Sequence, residues 1–227
     1  MSKSKHKKIV FLDRDGVINE FPGNGRYVTK VKDFHFIPGS LEAIKKLTDE
    51  GFTIFVVSNQ AGVGKGLFSQ KKLDQITKKM LDGVKKVGGK IKKVYYCTAR
   101  SDEGSPDRKP GIGLIQKAVK LVGRDMRAVR SAYFVGDTES DIQCGKNAKM
   151  KTIFVLSGRE DCVYMRRWDD VVPDFIFKNL LEATKLITGK GGEPHIIKPY
   201  SKLAKRKTNK VRRKEGIHYR RRYSDRF

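Results

Sequence analysis

Six side chains suited to phosphate chemistry lie at ordered intervals along the chain: Asp13 and Asp15, Ser58, Lys109, and Asp137 with Asp141. The first pair closes an apolar run, Ile9-Val10-Phe11-Leu12, that breaks off into Asp13-Arg14-Asp15-Gly16. An i, i+2 spacing at a strand's end sends both acids the same way. Two carboxylates so crowded repel each other unless a metal or a shared proton relieves them. Three plainer readings compete. The stretch could be an exposed Asp-Gly turn. It could be a structural ion pair of Arg14 with a neighbouring acid. A calcium-binding loop is excluded, because Val17 and Asn24 stand where that loop needs an oxygen ligand and a glutamate.

The other four are each ambiguous alone. Ser58-Asn59-Gln60 precedes the glycine-rich Ala61-Gly62-Val63-Gly64-Lys65-Gly66, which offers a hydroxyl and free backbone N–H groups to an anion. It is not a nucleotide-binding P-loop, since Asn59 and Gly66 occupy the required Gly and Ser/Thr positions. Lys109 precedes Pro110 and a helix start, a place from which it can reach back over the sheet, or it is one more solvated cation among fifty basic residues. Asp137 ends an apolar run and Asp141 lies one helical turn on, which is also the pattern of a capped helix start.

Strand-like runs fall at 9–13, 52–58, 93–97, 132–137 and 152–156, with a short one at 175–177. Helical segments fall at 41–48, with Ser40 as N-cap, and at 70–87, with Ser69 as N-cap. Others fall at 114–122, 140–147 and 179–187. Alternating strands and helices predict an α/β fold: a Rossmann-like three-layer sandwich with a mostly parallel sheet. Ligands bind such sheets beyond the carboxyl ends of the strands, where this sequence places its polar motifs. Together the strand ends carry what phosphoryl transfer needs: a carboxylate nucleophile, a second carboxyl as acid and base, hydroxyl and cationic clamps, and acids for Mg²⁺.

Phe11-Leu12-Asp13-Arg14-Asp15-Gly16-Val17-Ile18-Asn19, Ser58-Asn59-Gln60-Ala61-Gly62, Tyr95-Tyr96-Cys97, Arg108-Lys109-Pro110 and Val135-Gly136-Asp137 carry a resemblance. Over about residues 7–188 the chain resembles the haloacid dehalogenase-like phosphatases. Within them it is similar to the capless group of heptose-1,7-bisphosphate and histidinol-phosphate phosphatases. The resemblance implies no large cap domain, Asp13 as nucleophile and an aspartyl-phosphate intermediate. It implies Asp15 as acid and base, with Ser58 and Lys109 on the phosphoryl group. It implies Mg²⁺ held by Asp13, Asp137 and the Asp15 carbonyl, with Asp141 behind them. Asn59, Arg108 and the loop at 20–27, with Arg26 and Tyr27, are the expected substrate contacts, although Arg26 also reads as a solvated loop cation. A small phosphorylated metabolite is the expected substrate. Members of this group often carry a zinc loop. Here Cys97 remains, while Ala99, Ser105 and Asp107 replace its other ligands, so no Zn²⁺ is expected. Thr138 stands where the heptose enzymes tend to have lysine, which weakens the heptose assignment.

The composition adds a second theme. The chain of 227 residues has 50 Lys+Arg against 25 Asp+Glu, a formal net charge of +25. Residues 190–227 hold 14 basic and 3 acidic residues, a net of +11. The division expected is a phosphatase domain at 1–189 and a basic tail at 190–227. Three basic clusters in the tail are candidates for RNA or DNA contact: Lys205, Arg206, Lys207; Arg212, Arg213, Lys214; and Arg220, Arg221, Arg222. Tyr200, Tyr219, Tyr223 and Phe227 punctuate them with rings that can stack on bases. A solvated tail is the plain alternative. Two further readings stay open: a phosphatase removing 3′-phosphates from nucleic-acid ends, and a non-enzymatic nucleic-acid or ribonucleoprotein component on the same fold. Three scattered cysteines without a paired spacing suit a reducing, cytoplasmic setting. No run approaches the length of a membrane span.

Overall fold

The computed structural model describes residues 8–158 and 171–192. Six strands form one sheet: β1 (Ile9–Leu12), β2 (Thr53–Asn59), β3 (Lys93–Cys97), β4 (Tyr133–Gly136), β5 (Lys151–Val155) and β6 (Phe175–Phe177). Their spatial order is β3-β2-β1-β4-β5-β6, and every pairing is parallel. β1 is therefore central, paired with β2 on one side and β4 on the other. A strand hemmed in on all sides must be apolar throughout, and Ile9-Val10-Phe11-Leu12 is completely buried.

Alternation along β1 feeds two cores. Val10 and Leu12 join Ile54, Val56, Val135 and Ile153 beneath α1 (Ser40–Asp49), α3 (Gln70–Lys86) and α6 (Leu180–Ile187). Ile9 and Phe11 face the other way, with Phe55, Val57 and Phe134, beneath α4 (Gly113–Leu121) and α5 (Glu139–Asn147). The rings of Phe55 and Phe134 lie 5.4 and 6.3 Å from that of Phe11, so three neighbouring strands share one aromatic layer. Among the described residues no separate cap domain is inserted. The long β1–α1 connection contains a 3₁₀ turn, Val31–Asp33, and two isolated bridges, Asp15 with Asn19 and Asn19 with Phe36.

Two local expectations change. Ser40 is not the N-cap of α1. Gly39 takes that place with φ 83°, a conformation natural to glycine, and Ser40 begins the helix. The glycine-rich segment after β2 is a short helix, α2 (Ala61–Gly64), and not an open turn. The N–H groups of Val63, Lys65 and Gly66 bond within it, which removes them as anion donors. Ser69 caps α3 as expected, accepting from Lys72 N at 3.2 Å.

Candidate active site

Strand order places the chemistry. In this sheet the order reverses between β1 and β4, and the loops leaving their carboxyl ends diverge to open a crevice. Asp13 directly follows β1 and Asp137 directly follows β4. Residues 109 and 58, distant in sequence, reach the same spot from the β3–α4 loop and the tip of β2. The resulting cleft, about 290 Å³, is lined by Asp13, Asp15, Ser58, Lys109, Asp137 and Thr138 among others. Asn59, Arg108, Arg26 and Tyr27 line it too, so every expected site residue outside the tail except Asp141 borders one cavity. A larger open groove of about 560 Å³ lies against α3 and β3, but its acids, Asp74 and Asp82, are exposed and unsuited to activated chemistry.

Lys109 is the hub and is only 4% exposed. Its Nζ lies 2.8 Å from Asp13 Oδ1 and 2.5 Å from Asp141 Oδ1, and it donates to Val57 O at 2.9 Å. These three partners occupy all three ammonium protons. The two carboxylates keep Lys109 above the ordinary lysine range although burial opposes its charge. Asp141 is wholly buried, and its other oxygen accepts from Thr138 N and Oγ1 at 3.0 and 2.7 Å. It therefore closes the capping box of α5 and anchors Lys109 at once.

One ammonium cannot offset several buried acids. One carboxylate oxygen from each of Asp13, Asp137 and Asp141 lies within 4.8 Å of the other two. Burial pushes Asp13 up from 3.8 to about 6; Lys109 opposes the rise, while Asp141 and Asp15 add to it. Three carboxylates and one lysine leave a buried excess of negative charge in a hard-oxygen site. Such a donor set fits a small divalent cation. With both Asp141 oxygens engaged, Asp13 and Asp137 are the side chains suited to direct ligation.

Asp15 takes a different path from the one its spacing suggests. β1 ends at Leu12, so strand alternation does not govern residue 15. Its carboxylate accepts from Arg14 Nη2 at 2.8 Å, from Asn19 Nδ2 at 2.8 Å and from Gln60 Nε2 at 2.8 Å. Arg14 is fully buried, and its Nη2 also donates to Gln60 Oε1 at 3.1 Å. Its guanidinium carbon lies 5.6 Å from the centre of the Tyr96 ring. Asp15, then Tyr96, raise its basicity against the burial that opposes it. The expected ion pair of Arg14 with a neighbouring acid is therefore present, with Asp15, which borders the same cleft as Asp13.

Two residues expected as substrate contacts border the cleft and also hold the loop that carries Lys109. Asn59 accepts from Lys109 N at 3.0 Å and donates to Lys109 O at 3.1 Å, so it clamps the backbone that carries the lysine. Arg108 Nη1 donates to Ala99 O at 3.2 Å and holds the β3–α4 loop closed. Arg26 is exposed at the rim. Lys205, Arg206, Lys207, Arg212, Arg213, Lys214, Arg220, Arg221 and Arg222 lie outside the described residues.

Two glycines are required by close approach. Gly16 has φ 81°, and a Cβ there would come within 2.2 Å of Asp137 Oδ2. A Cβ on Gly136 would meet the Asp141 Cβ at 2.2 Å. Gln60 and Asn19 were given no role by sequence reasoning, and Thr138 stood out there only as the replacement of a lysine. All three belong to or adjoin recognised runs, but only their hydrogen-bond geometry shows that they hold Asp15 and Asp141.

An all-parallel sheet with buried acids and a lysine at its reversal point defines a haloacid dehalogenase-like phosphohydrolase. The family described as polynucleotide kinase 3 phosphatase matches residues 8–158. A heptose-1,7-bisphosphate 7-phosphatase of Pasteurella multocida is 32% identical over 190 residues, spanning 81% of this chain and 98% of that enzyme. The Haemophilus ducreyi counterpart is 36% identical over 164 residues, spanning 67% and 85%. The crystal structure of the heptose-bisphosphate phosphatase of B. bronchiseptica, complexed with magnesium and phosphate, superposes with a TM-score of 0.72 at 25% identity over 81% of this chain and 99% of that one. The chain belongs to the haloacid dehalogenase-like phosphatase family, in the group that holds the heptose-bisphosphate phosphatases. It is a phosphoric monoester hydrolase. No helix among the described residues is long and apolar enough to cross a membrane.

Proposed function

We propose that this enzyme hydrolyses a phosphomonoester of a small phosphorylated metabolite, a heptose 1,7-bisphosphate or a compound of similar size, within residues 1–189. The observation that carries the reading is Lys109 shared between Asp13 and Asp141 at the floor of a small cleft. Asp13 attacks phosphorus through a carboxylate oxygen, the bond from phosphorus to the ester oxygen breaks, and an aspartyl-phosphate forms. Asp15 gives its proton to the departing alkoxide. In the second half Asp15 takes a proton from water, the oxygen of that water bonds to phosphorus, and Asp13 is released with inorganic phosphate. At rest the Asp15 carboxylate accepts from the side chains of Arg14, Asn19 and Gln60, which orient it. Lys109 and Ser58 line the cleft beside Asp13 and are the groups proposed to stabilise the phosphoryl oxygens, Lys109 by its charge and Ser58 by its hydroxyl.

Asp13, Asp137 and the Asp15 carbonyl would hold a magnesium ion, with Asp141 behind Lys109. When bound, the ion neutralises charge on the phosphoryl oxygens and offsets the excess of buried carboxylates. Magnesium and phosphate are bound in the B. bronchiseptica relative. We propose no structural zinc. Cys97 Sγ instead lies 3.9 Å from Ser105 Oγ, and Asp107 pairs with Lys117. Elemental analysis of the purified protein is expected to find no stoichiometric zinc, and one tightly held equivalent would overturn this.

The family description favours a second reading, removal of 3′-phosphates from nucleic-acid ends. A substrate panel with magnesium decides between them: heptose 1,7-bisphosphate, histidinol phosphate and a 3′-phosphorylated oligonucleotide. Turnover of either metabolite well above that of the oligonucleotide supports the first reading, and the reverse ranking supports the second. Failure of all three rejects both.

A further inference from the structure

In a parallel sheet whose crossover helices run antiparallel to the strands, every such helix ends at the amino edge of the sheet, opposite the active site. Basic last turns gather there: Lys46 in α1, Lys85 and Lys86 in α3, Lys120 in α4, Lys146 in α5 and Lys185 in α6. Complementing the helix dipoles accounts for these. It does not account for Lys90, Lys92 and Lys93, which follow α3 and lead into β3. Lys85, Lys86, Lys90, Lys92 and Lys93 are all exposed, and no acid occurs between Asp82 and Asp102. The acids elsewhere on this edge have partners: Asp49 with Lys45, Glu50 with Lys190, Asp125 with Arg127 and Asp174 with Lys146.

Both ends of the described chain meet this edge. Lys8, immediately before β1, accepts from Thr53 N through its carbonyl at 2.7 Å, and Lys92 N donates to Ile54 O at 2.8 Å. Lys90 N donates to Thr48 Oγ1 at 2.9 Å, beside the end of α1. Lys190 reaches Glu50, the residue after α1, at 2.5 Å, and Lys8 adds to the positive field on the same carboxylate. The sequence beyond these points is basic on both sides. Residues 1–8 contain four lysines and no acid, and residues 190–227 carry a net of +11.

We infer that the amino edge of the sheet, centred on Lys85, Lys86, Lys90, Lys92 and Lys93, is a binding face for single-stranded nucleic acid, separate from the catalytic cleft. Exposed, unmatched charge of one sign gains affinity from a phosphate backbone by releasing its counterions. Among the described residues the exposed large apolar side chains are Leu67, Leu81, Leu121 and Val172. None lies between 85 and 93, so the face lacks the apolar anchors that a bilayer surface rewards. Five residues of β3 separate this face from the cleft by roughly 15 Å, so one phosphate group cannot touch both.

The test uses the full chain, a labelled single-stranded oligonucleotide of about twenty nucleotides with a 3′-hydroxyl, and a salt titration. The chain K85Q/K86Q/K90Q/K92Q/K93Q is compared with the parent. Its affinity is expected to fall by about tenfold or more near physiological salt, and the slope of log K against log salt to shrink by about 0.7 for each phosphate that the variant no longer neutralises. Hydrolysis of a phosphate ester should be unchanged, which also reports an intact fold. An unchanged affinity and slope would overturn the inference, since binding would then rest on other segments. So would no binding by the parent at that salt, or its preference for phosphatidylserine vesicles over the oligonucleotide. K92Q/K93Q alone, which alters no helix, is expected to lose a smaller share in the same direction.

Discussion

The two ends of this sheet carry charge in opposite ways. At the carboxyl edge the charges are buried and mixed: Lys109 touches Asp13 and Asp141, and Arg14 touches Asp15. At the amino edge they are exposed, and around Lys85–Lys93 they share one sign. Coulomb interactions strengthen as solvent is excluded, so the first arrangement fixes reactive groups and shifts their proton affinities. The second leaves every cation solvated, so that its interactions are weak, reversible and sensitive to salt. Burial, rather than the number of charges, separates a reaction centre from an attractive surface.

The sharpest way to break the comparison is Asp13→Asn. It is expected to reduce hydrolysis of any turned-over ester by roughly 10³-fold or more while circular dichroism stays native. Retained turnover would remove Asp13 as nucleophile. Next is Lys109→Met, which leaves Asp13 and Asp141 buried without their cation. A loss of about 3–5 kcal/mol in denaturant unfolding is expected. Adding Asp141→Asn should recover part of it, and no recovery would mean that Lys109 acts through packing alone.

Asn59→Ala tests whether the clamp on the Lys109 backbone matters. It leaves the Lys109 N–H and carbonyl without these partners, a cost of about 1–3 kcal/mol. A positioning residue should lower kcat more than it changes KM, whereas a direct substrate contact would raise KM.

The smallest effect belongs to the amino edge. Asp174 accepts from Lys146 Nζ at 2.6 Å and from Thr152 N and Oγ1 at 2.8 and 2.9 Å. Burial opposes its charge, but these bonds outweigh it and hold the carboxyl below its ordinary value of 3.8. Its contribution is therefore present above that value and lost as pH falls through the lowered one. Asp174→Asn should cost about 1 kcal/mol at neutral pH after solvent screening, and the difference from the parent should close in acid. A difference independent of pH would assign the effect to packing.

Much of this was legible in the residues. The six strand sites, Ser69 as a cap and the parallel sheet follow from apolar runs, alternation and turn chemistry, which are local signals. Asp13, Ser58 and Asp137 stood out as candidates because each closes or follows an apolar run, and Lys109 because it precedes Pro110 and a helix start. Ser40 was misread because a glycine with positive φ took the cap, and the run at 61–66 because a four-residue helix has too little periodicity to show. Asn59 and Arg108 line the cleft as expected of substrate contacts, but their bonds to the Lys109 backbone and to Ala99 O were not legible, because sequence position does not show which backbone a polar side chain meets.

The sequence alone determined the fold class and the reaction, since both rest on residue types at ordered places along the chain. The tertiary structure decided which charges meet. Lys109 pairs with acids 96 and 32 residues away in sequence. Asp15 turns to Arg14, Asn19 and Gln60, while lysines near residues 8, 90 and 190 reach one edge. Spacing along a chain carries no record of strand order, and strand order brings these groups together.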